Sequence, residues 1–141
     1  MLNDHKVRFV VIGGVAVIAH GYTRTTEDID IFIEPNRGNV EKTFAALREC
    51  GYDLTDTSVD EALAKKLLLR GYILKTDIHP FVTGARFDDV WNKRIEISFL
   101  GERVPFVSLD DLISMKKAAG RERDLIDLKH LQEIKRQTHQ K

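Results

Sequence analysis

Ile12-Gly13-Gly14-Val15-Ala16-Val17-Ile18-Ala19-His20-Gly21-Tyr22-Thr23-Arg24-Thr25-Thr26-Glu27-Asp28-Ile29-Asp30-Ile31 decides how this chain is read. An apolar strand end, Phe9 to Ile12, runs into two glycines and then a short apolar segment closed by Gly21. A polar loop leads to a second strand that carries two carboxylates. Side chains alternate faces along a strand, so Asp28 and Asp30 point the same way, about 7 Å apart, while Ile29, Ile31 and Ile33 face the other side. Two acids fixed on one rigid face repel unless a cation sits between them, and the usual occupant is a hard divalent ion with oxygen ligands. The glycines permit close approach of a ligand to the backbone. The first amides of the following helix, Val15 to His20, are unpaired donors suited to an anion. A metal site facing a phosphate-binding turn is the expectation.

Outward from this stretch, the chain alternates strand and helix signals. Asn36 to Cys50 places Val40, Phe44 and Leu47 on one helical face, with Gly51 as its stop. Tyr52–Leu54 reads as a brief strand. Asp60 caps a segment through Leu69 that is either helical or, from Leu67, the start of a strand. Tyr72 to His79 alternates, setting Leu74, Thr76 and Ile78 on one face and Lys75, Asp77 and His79 on the other, and ends at Pro80. Residues 81–92 read as irregular or partly helical. Arg94–Leu100 and Arg103–Val107 form a hairpin through Gly101-Glu102. Ser108-Leu109-Asp110-Asp111 is the acidic form of a capping box, opening a helix to Ala119 that Gly120 ends. A last helix, Arg121 to about Arg136, spaces Leu125, Leu128, Leu131 and Ile134 helically, leaving a frayed tail from Gln137. The expected fold is α/β (α+β): a mixed sheet flanked by helices, in one domain spanning 1–141 with a helical C-terminal part at about 108–137.

Composition bounds the function. The chain has 141 residues, enough for one real core, and 43% apolar content. Its 22 basic and 22 acidic residues cancel, which argues against extended nucleic-acid binding. Cys50 is alone, so no internal disulfide forms, as in a reducing cytosol. Charge comes early and no long apolar run follows, so neither a signal peptide nor a membrane span is expected, and the cytoplasm is the expected location.

Asp77 is the third acid of interest. With Asp28 and Asp30 it supplies three carboxylates from two adjacent strands, enough to hold two divalent ions in phosphoryl transfer. The competing reading of any lone Asp is a solvated residue or turn cap. Arg24, Thr25 and Thr26 precede the acids; they contact phosphate, or they bond within their loop, with Arg24 pairing Glu27 or Asp28. Lys116 continues the apolar stripe Leu109, Leu112, Ile113, so it either snorkels to water or reaches a buried anion such as a triphosphate. Asp124 and Asp127 are explained by favourable placement near a helix start, with Arg121, Arg123 and Asp124 as alternative cleft residues. No HxxH or CxxC spacing accompanies His20 or His79, so neither is expected to bind zinc. His79 borders the cleft or is an ordinary strand-end histidine.

Taken together, the Gly-Gly…Arg-Thr-Thr-Glu-Asp-Ile-Asp stretch resembles the signature of the nucleotidyltransferase (polymerase-beta-like) superfamily. The likeness continues through Lys75-Thr76-Asp77-Ile78, Pro105-Phe106-Val107-Ser108-Leu109-Asp110-Asp111-Leu112 and Lys116-Lys117-Ala118-Ala119-Gly120-Arg121-Glu122-Arg123-Asp124-Leu125-Ile126-Asp127-Leu128. That extended pattern is similar to the small stand-alone proteins related to the AbiEii toxin branch. The resemblance implies a nucleoside triphosphate, ATP among the candidates, with magnesium or manganese. Asp28 and Asp30 would hold metal, Asp77 would complete the site and help activate an acceptor hydroxyl, and Gly13 and Gly14 would cradle phosphates. Arg24, Thr26 and Lys116 would bind the nucleotide. A nucleoside monophosphate would pass to an unidentified acceptor, RNA, protein or small molecule, and an antitoxin or other partner protein would accompany a toxin of this branch. The superfamily often has Gly-Ser where this chain has Gly-Gly, losing a hydroxyl that touches phosphate, a change the AbiEii-like branch shares. The alternative is a catalytically inactive nucleotide-sensing or partner-binding module of the same fold.

Overall fold

The computed structural model describes residues 2–70, 75–99 and 101–139. Among these residues six strands and six helices follow one another as β1 (Phe9–Ile12), α1 (Gly13–Ala19), β2 (Asp28–Ile33), α2 (Arg37–Glu49), α3 (Val59–Ala64), β3 (Leu67–Leu69), β4 (Lys75–His79), α4 (Phe87–Asn92), β5 (Ile95–Phe99), β6 (Glu102–Phe106), α5 (Leu109–Ala119) and α6 (Glu122–His139). The strands form one mixed sheet in the order β3-β4-β2-β1-β6-β5. At its centre β1 pairs antiparallel with β2 and parallel with β6, while β2 runs parallel to β4. The mixed α/β architecture with helices at the C-terminus is therefore as expected.

Local sequence explains most boundaries. Asn36 caps α2 by accepting from the Asn39 amide, and Val40, Phe44 and Leu47 are its buried face. Ser108 accepts from Asp111 N–H to open α5, and Gly120, at φ +65°, ends it in the left-handed conformation that glycine adopts without strain. All four residues of β1 are buried, as are Ile31, Phe32 and Ile33 of β2. With Val107, Leu112 and Leu131 they belong to one continuous core.

Four expectations need correction. Residues 52–54 form no strand: Leu54 is buried from a loop, and burial of an apolar side chain does not require a ladder. Ser58, not Asp60, caps α3, whose helix stops at Ala64 so that Leu67–Leu69 becomes a strand. α6 continues through residues 137–139, where a frayed tail was expected. Its buried stripe is also different: Asp124, Asp127 and Leu131 face inward while Leu125 is 52% exposed. The start of the strand predicted from Tyr72, including Leu74, lies outside the described residues, as does Leu100. Among the described residues, no helix is long and apolar enough to cross a membrane.

Candidate active site

Alternation sets Asp28, Asp30 and Phe32 on one face of β2, and Asp77 and His79 share that face on β4. The parallel register pairs Asp30 with Asp77 and Phe32 with His79, so lateral strand pairing brings the second and third acids side by side. His79 Nε2 lies 2.9 Å from Asp30 Oδ1. Ligand atoms of Asp30, Asp77 and His79 all fall within 4.8 Å of one another, a spacing that fits one cation. Asp77 is only 6% exposed, and Asp28 Oδ1 is buried with no hydrogen-bond partner among the described residues. An orphaned buried carboxylate oxygen is costly, and a cation would satisfy it. The oxygen donors suit hard magnesium or manganese, and the imidazole adds a nitrogen that manganese tolerates. The residues present fit a divalent ion.

Arg70, just past β3, joins this group through its ion pair with Asp77. The hydrogen bond that Arg70 donates to Asp77 raises the Arg70 pKa above the ordinary guanidinium value; burial opposes it, and the charges of Asp77, Asp28 and Asp30 add to it. One cation therefore senses all three acids. Nothing in the sequence pattern singled out Arg70, because a charged residue ending an apolar run is commonplace at a strand end.

The glycine pair is tied to the acids by contact. β1 passes into α1 without a loop, and Gly13 makes the corner at φ +69°. A Cβ there would lie 2.9 Å from the Cβ and Cγ of Asp30, nearer still to its Oδ2. At Gly14 a Cβ would meet Thr26 Oγ1 at 2.8 Å and an Arg24 Nη2 at 2.9 Å. Both positions exclude side chains so that Asp30, Thr26 and Arg24 can stand against the corner. Thr26 Oγ1 meanwhile donates to the Asp28 carbonyl at 3.3 Å, holding the entry to β2.

Beside the glycines lies a buried charge cluster. Asp127 takes Arg24 Nε at 2.9 Å and Lys116 Nζ at 3.0 Å. Asp124 takes Lys116 Nζ at 3.1 Å and Arg121 Nε at 2.6 Å. Both carboxylates are 1% exposed. Burial pushes the Asp124 carboxyl up, but the hydrogen bonds and charges of Arg121 and Lys116 outweigh it and hold it below the usual carboxylate value. Arg121 is raised chiefly by its hydrogen bond to Asp124; burial opposes this, and the charges of Asp124 and Asp30 reinforce it.

Three cations thus face two carboxylates, leaving one net positive charge beside the glycine corner. Lys116 does reach a buried anion, but that anion belongs to the chain. Arg24 pairs Asp127, not Glu27 or Asp28. Asp124 and Asp127 are the counter-ions of the cluster, which helix-dipole placement did not capture. Their signal was present: residues 124, 127, 131 and 134 also share a helical face, and two of them are acids. His20 is accounted for structurally, its Nε2 2.8 Å from the Val107 carbonyl.

A cavity of about 250 Å³ is lined by Gly13, Gly14, Arg24, Thr26, Asp28, Asp30, His79 and Lys116, with Asp77 behind Asp30 and outside its lining. The arrangement can hold a polyanion between a carboxylate-bound cation and a positive wall. Among solved structures, the lincomycin-bound crystal structure of the lincosamide antibiotic adenylyltransferase LnuA resembles this one with a TM-score of 0.62 at 20% identity, covering 94% of this chain and 90% of that one. That likeness establishes a shared nucleotidyltransferase fold. No curated protein matches the chain. The family described as "Nucleotidyl transferase of unknown function (DUF2204)" matches residues 1–141, and the chain belongs to it.

Proposed function

We propose that the protein transfers a nucleoside monophosphate from a nucleoside triphosphate, ATP among them, to an acceptor hydroxyl on RNA, protein or a small molecule, with magnesium or manganese bound by Asp28, Asp30 and Asp77. The observation that carries this reading is the acid cluster: Asp30 packed against the glycine corner and in register with Asp77, His79 on Asp30, and an unpartnered Asp28 oxygen. A bound divalent ion would neutralise phosphate charge and polarise the α-phosphoryl group. Gly13 and Gly14 present the backbone corner to phosphate with Asp30, Thr26 and Arg24 packed against it, and Arg24, Thr26 and Lys116 orient the phosphate. The Asp77 carboxylate takes the proton of the acceptor hydroxyl as its oxygen attacks the α-phosphorus. The bond to the bridging oxygen breaks and pyrophosphate leaves. His79, bonded to Asp30, steadies that carboxylate. We place the protein in the cytoplasm, as a component of a toxin–antitoxin pair whose partner is an antitoxin.

Asp28→Ala and Asp30→Ala test the reading, using transfer of label from α-labelled triphosphates and melting temperature with each triphosphate and metal. Both variants should lose transfer, and the metal-dependent rise in melting temperature, while remaining folded. Transfer that persists in both variants refutes it. Triphosphate binding without transfer to any acceptor supports a nucleotide-sensing module instead.

A further inference from the structure

Phe81 is the most exposed of the exposed large apolar side chains among the described residues, at 63%, and it lines the same cavity as the acids and glycines. Its backbone is held on both sides. Pro80 before it is buried. After it, Val82 and Ala85 bridge, with Ala85 N–H donating to the Val82 carbonyl at 3.1 Å. The turn between them is pinned to α5: Gly84 sits at φ +81°, and a Cβ there would come within 2.7 Å of the Ala118 Cβ. An aromatic ring is thus displayed in solvent from a fixed support. No core contact accounts for it; Phe81 is absent from the core and from the apolar side chains packed on it.

The cavity lining divides by chemistry. Gly13, Gly14, Arg24 and the acids form a polar end, whereas Phe81, Val82, Leu112 and Met115 offer apolar surface. One face of α5 serves both, since residues 112, 115, 116 and 119 share a side at helical spacing and combine apolar groups with the Lys116 ammonium. Phe81 stands two residues, at most about 7 Å of chain, from His79 and its bond to Asp30. A ligand gripped at its phosphates would therefore bring its next flat, apolar part to the ring.

We propose that Phe81 is the platform on which the nucleobase of the triphosphate stacks, with purines held more tightly than pyrimidines because they cover more of the ring. This rests on the nucleotidyl-transfer reading above. Stacking on an aromatic needs no base-edge donors, so it selects by area and not by hydrogen-bond pattern.

Calorimetric titration of the full chain with ATP, CTP and inorganic tripolyphosphate, each with magnesium, tests the inference. Wild type should bind ATP more tightly than CTP, and CTP more tightly than tripolyphosphate. Phe81→Ala should weaken ATP by about 5- to 150-fold, the usual span for loss of one base–aromatic stack, and leave tripolyphosphate unchanged. Phe81→Trp should keep or improve ATP affinity. Because the ring is exposed, neither variant should alter the melting temperature, which separates this effect from misfolding. Tripolyphosphate binding with ATP affinity indifferent to Phe81→Ala overturns the platform alone. Failure of wild type to bind either ligand overturns both the platform and the transfer reading.

Discussion

Removing Asp127 should be among the most damaging single truncations available outside the apolar core. Its carboxylate is 1% exposed and serves both Arg24 and Lys116. Asp127→Ala leaves Arg24 without its carboxylate, while Lys116 retains Asp124. Breaking a buried ion pair by deleting one partner costs about 3–5 kcal/mol. The Arg24 side chain is 20% exposed, so water softens the loss, and about 3 kcal/mol is the better figure. With an unfolding entropy of about 2.1 cal/mol/K per residue, 141 residues give about 0.3 kcal/mol/K, hence a fall in melting temperature of about 10 °C. Scanning calorimetry at neutral pH, with Glu133→Ala as control, measures this. Glu133 pairs Arg136 with both side chains exposed, and its loss should shift the transition little. A fall of less than about 3 °C for Asp127→Ala would mean about 1 kcal/mol or less, the worth of a surface pair, and would refute the buried-cluster reasoning.

Lys116→Met should be far milder for stability, because Asp124 keeps Arg121 and Asp127 keeps Arg24; tripolyphosphate affinity, read by calorimetry, should nevertheless drop about tenfold or more with the lost charge. Asp124 has its carboxyl below the ordinary value in the folded chain, so its stabilisation is complete above about pH 3.9 and drains away as pH falls through the lower folded value. Melting temperature plotted against pH should accordingly fall more steeply at the acid end for wild type than for Asp124→Asn; parallel curves would contradict this. Arg70→Met frees Asp77 from a competing cation, and manganese titration followed by paramagnetic resonance should show up to about fivefold tighter binding. Weaker binding would mean that Arg70 supports the site instead of competing for it.

The local half of the site was legible in the sequence, and the lateral half was not. Gly13-Gly14 and the Asp28/Asp30 alternation are written within twenty residues, and alternation around Asp77 marked its face. The register that sets Asp77 beside Asp30 joins strands 47 residues apart, and no local pattern encodes it. Ser108 and Gly120 announced α5 because capping is local chemistry. α6 misled at its start: Leu125 repeats with Leu128, Leu131 and Ile134 as well as Asp124 and Asp127 do with Leu131, and hydrophobicity favoured Leu125, which is exposed, over the two acids. Two acids on a core face become acceptable only once Arg24 and Lys116 are known to meet them. Tyr52–Leu54 has strand-like composition, but Leu54 is buried without a pairing partner.

The bond from Arg24 to Asp127 spans 103 residues of chain. During synthesis, the strands bearing Asp28, Asp30 and Asp77 emerge well before the carboxylate that anchors Arg24. At about 5–20 residues per second, the 50 residues from Asp77 to Asp127 take about 2.5–10 s. Through that interval a nascent chain holds its acids and its glycine corner but lacks the carboxylate that positions Arg24. The cavity can take its final form only when α6 docks, so a ribosome-bound chain stopped before residue 127 lacks the positive wall.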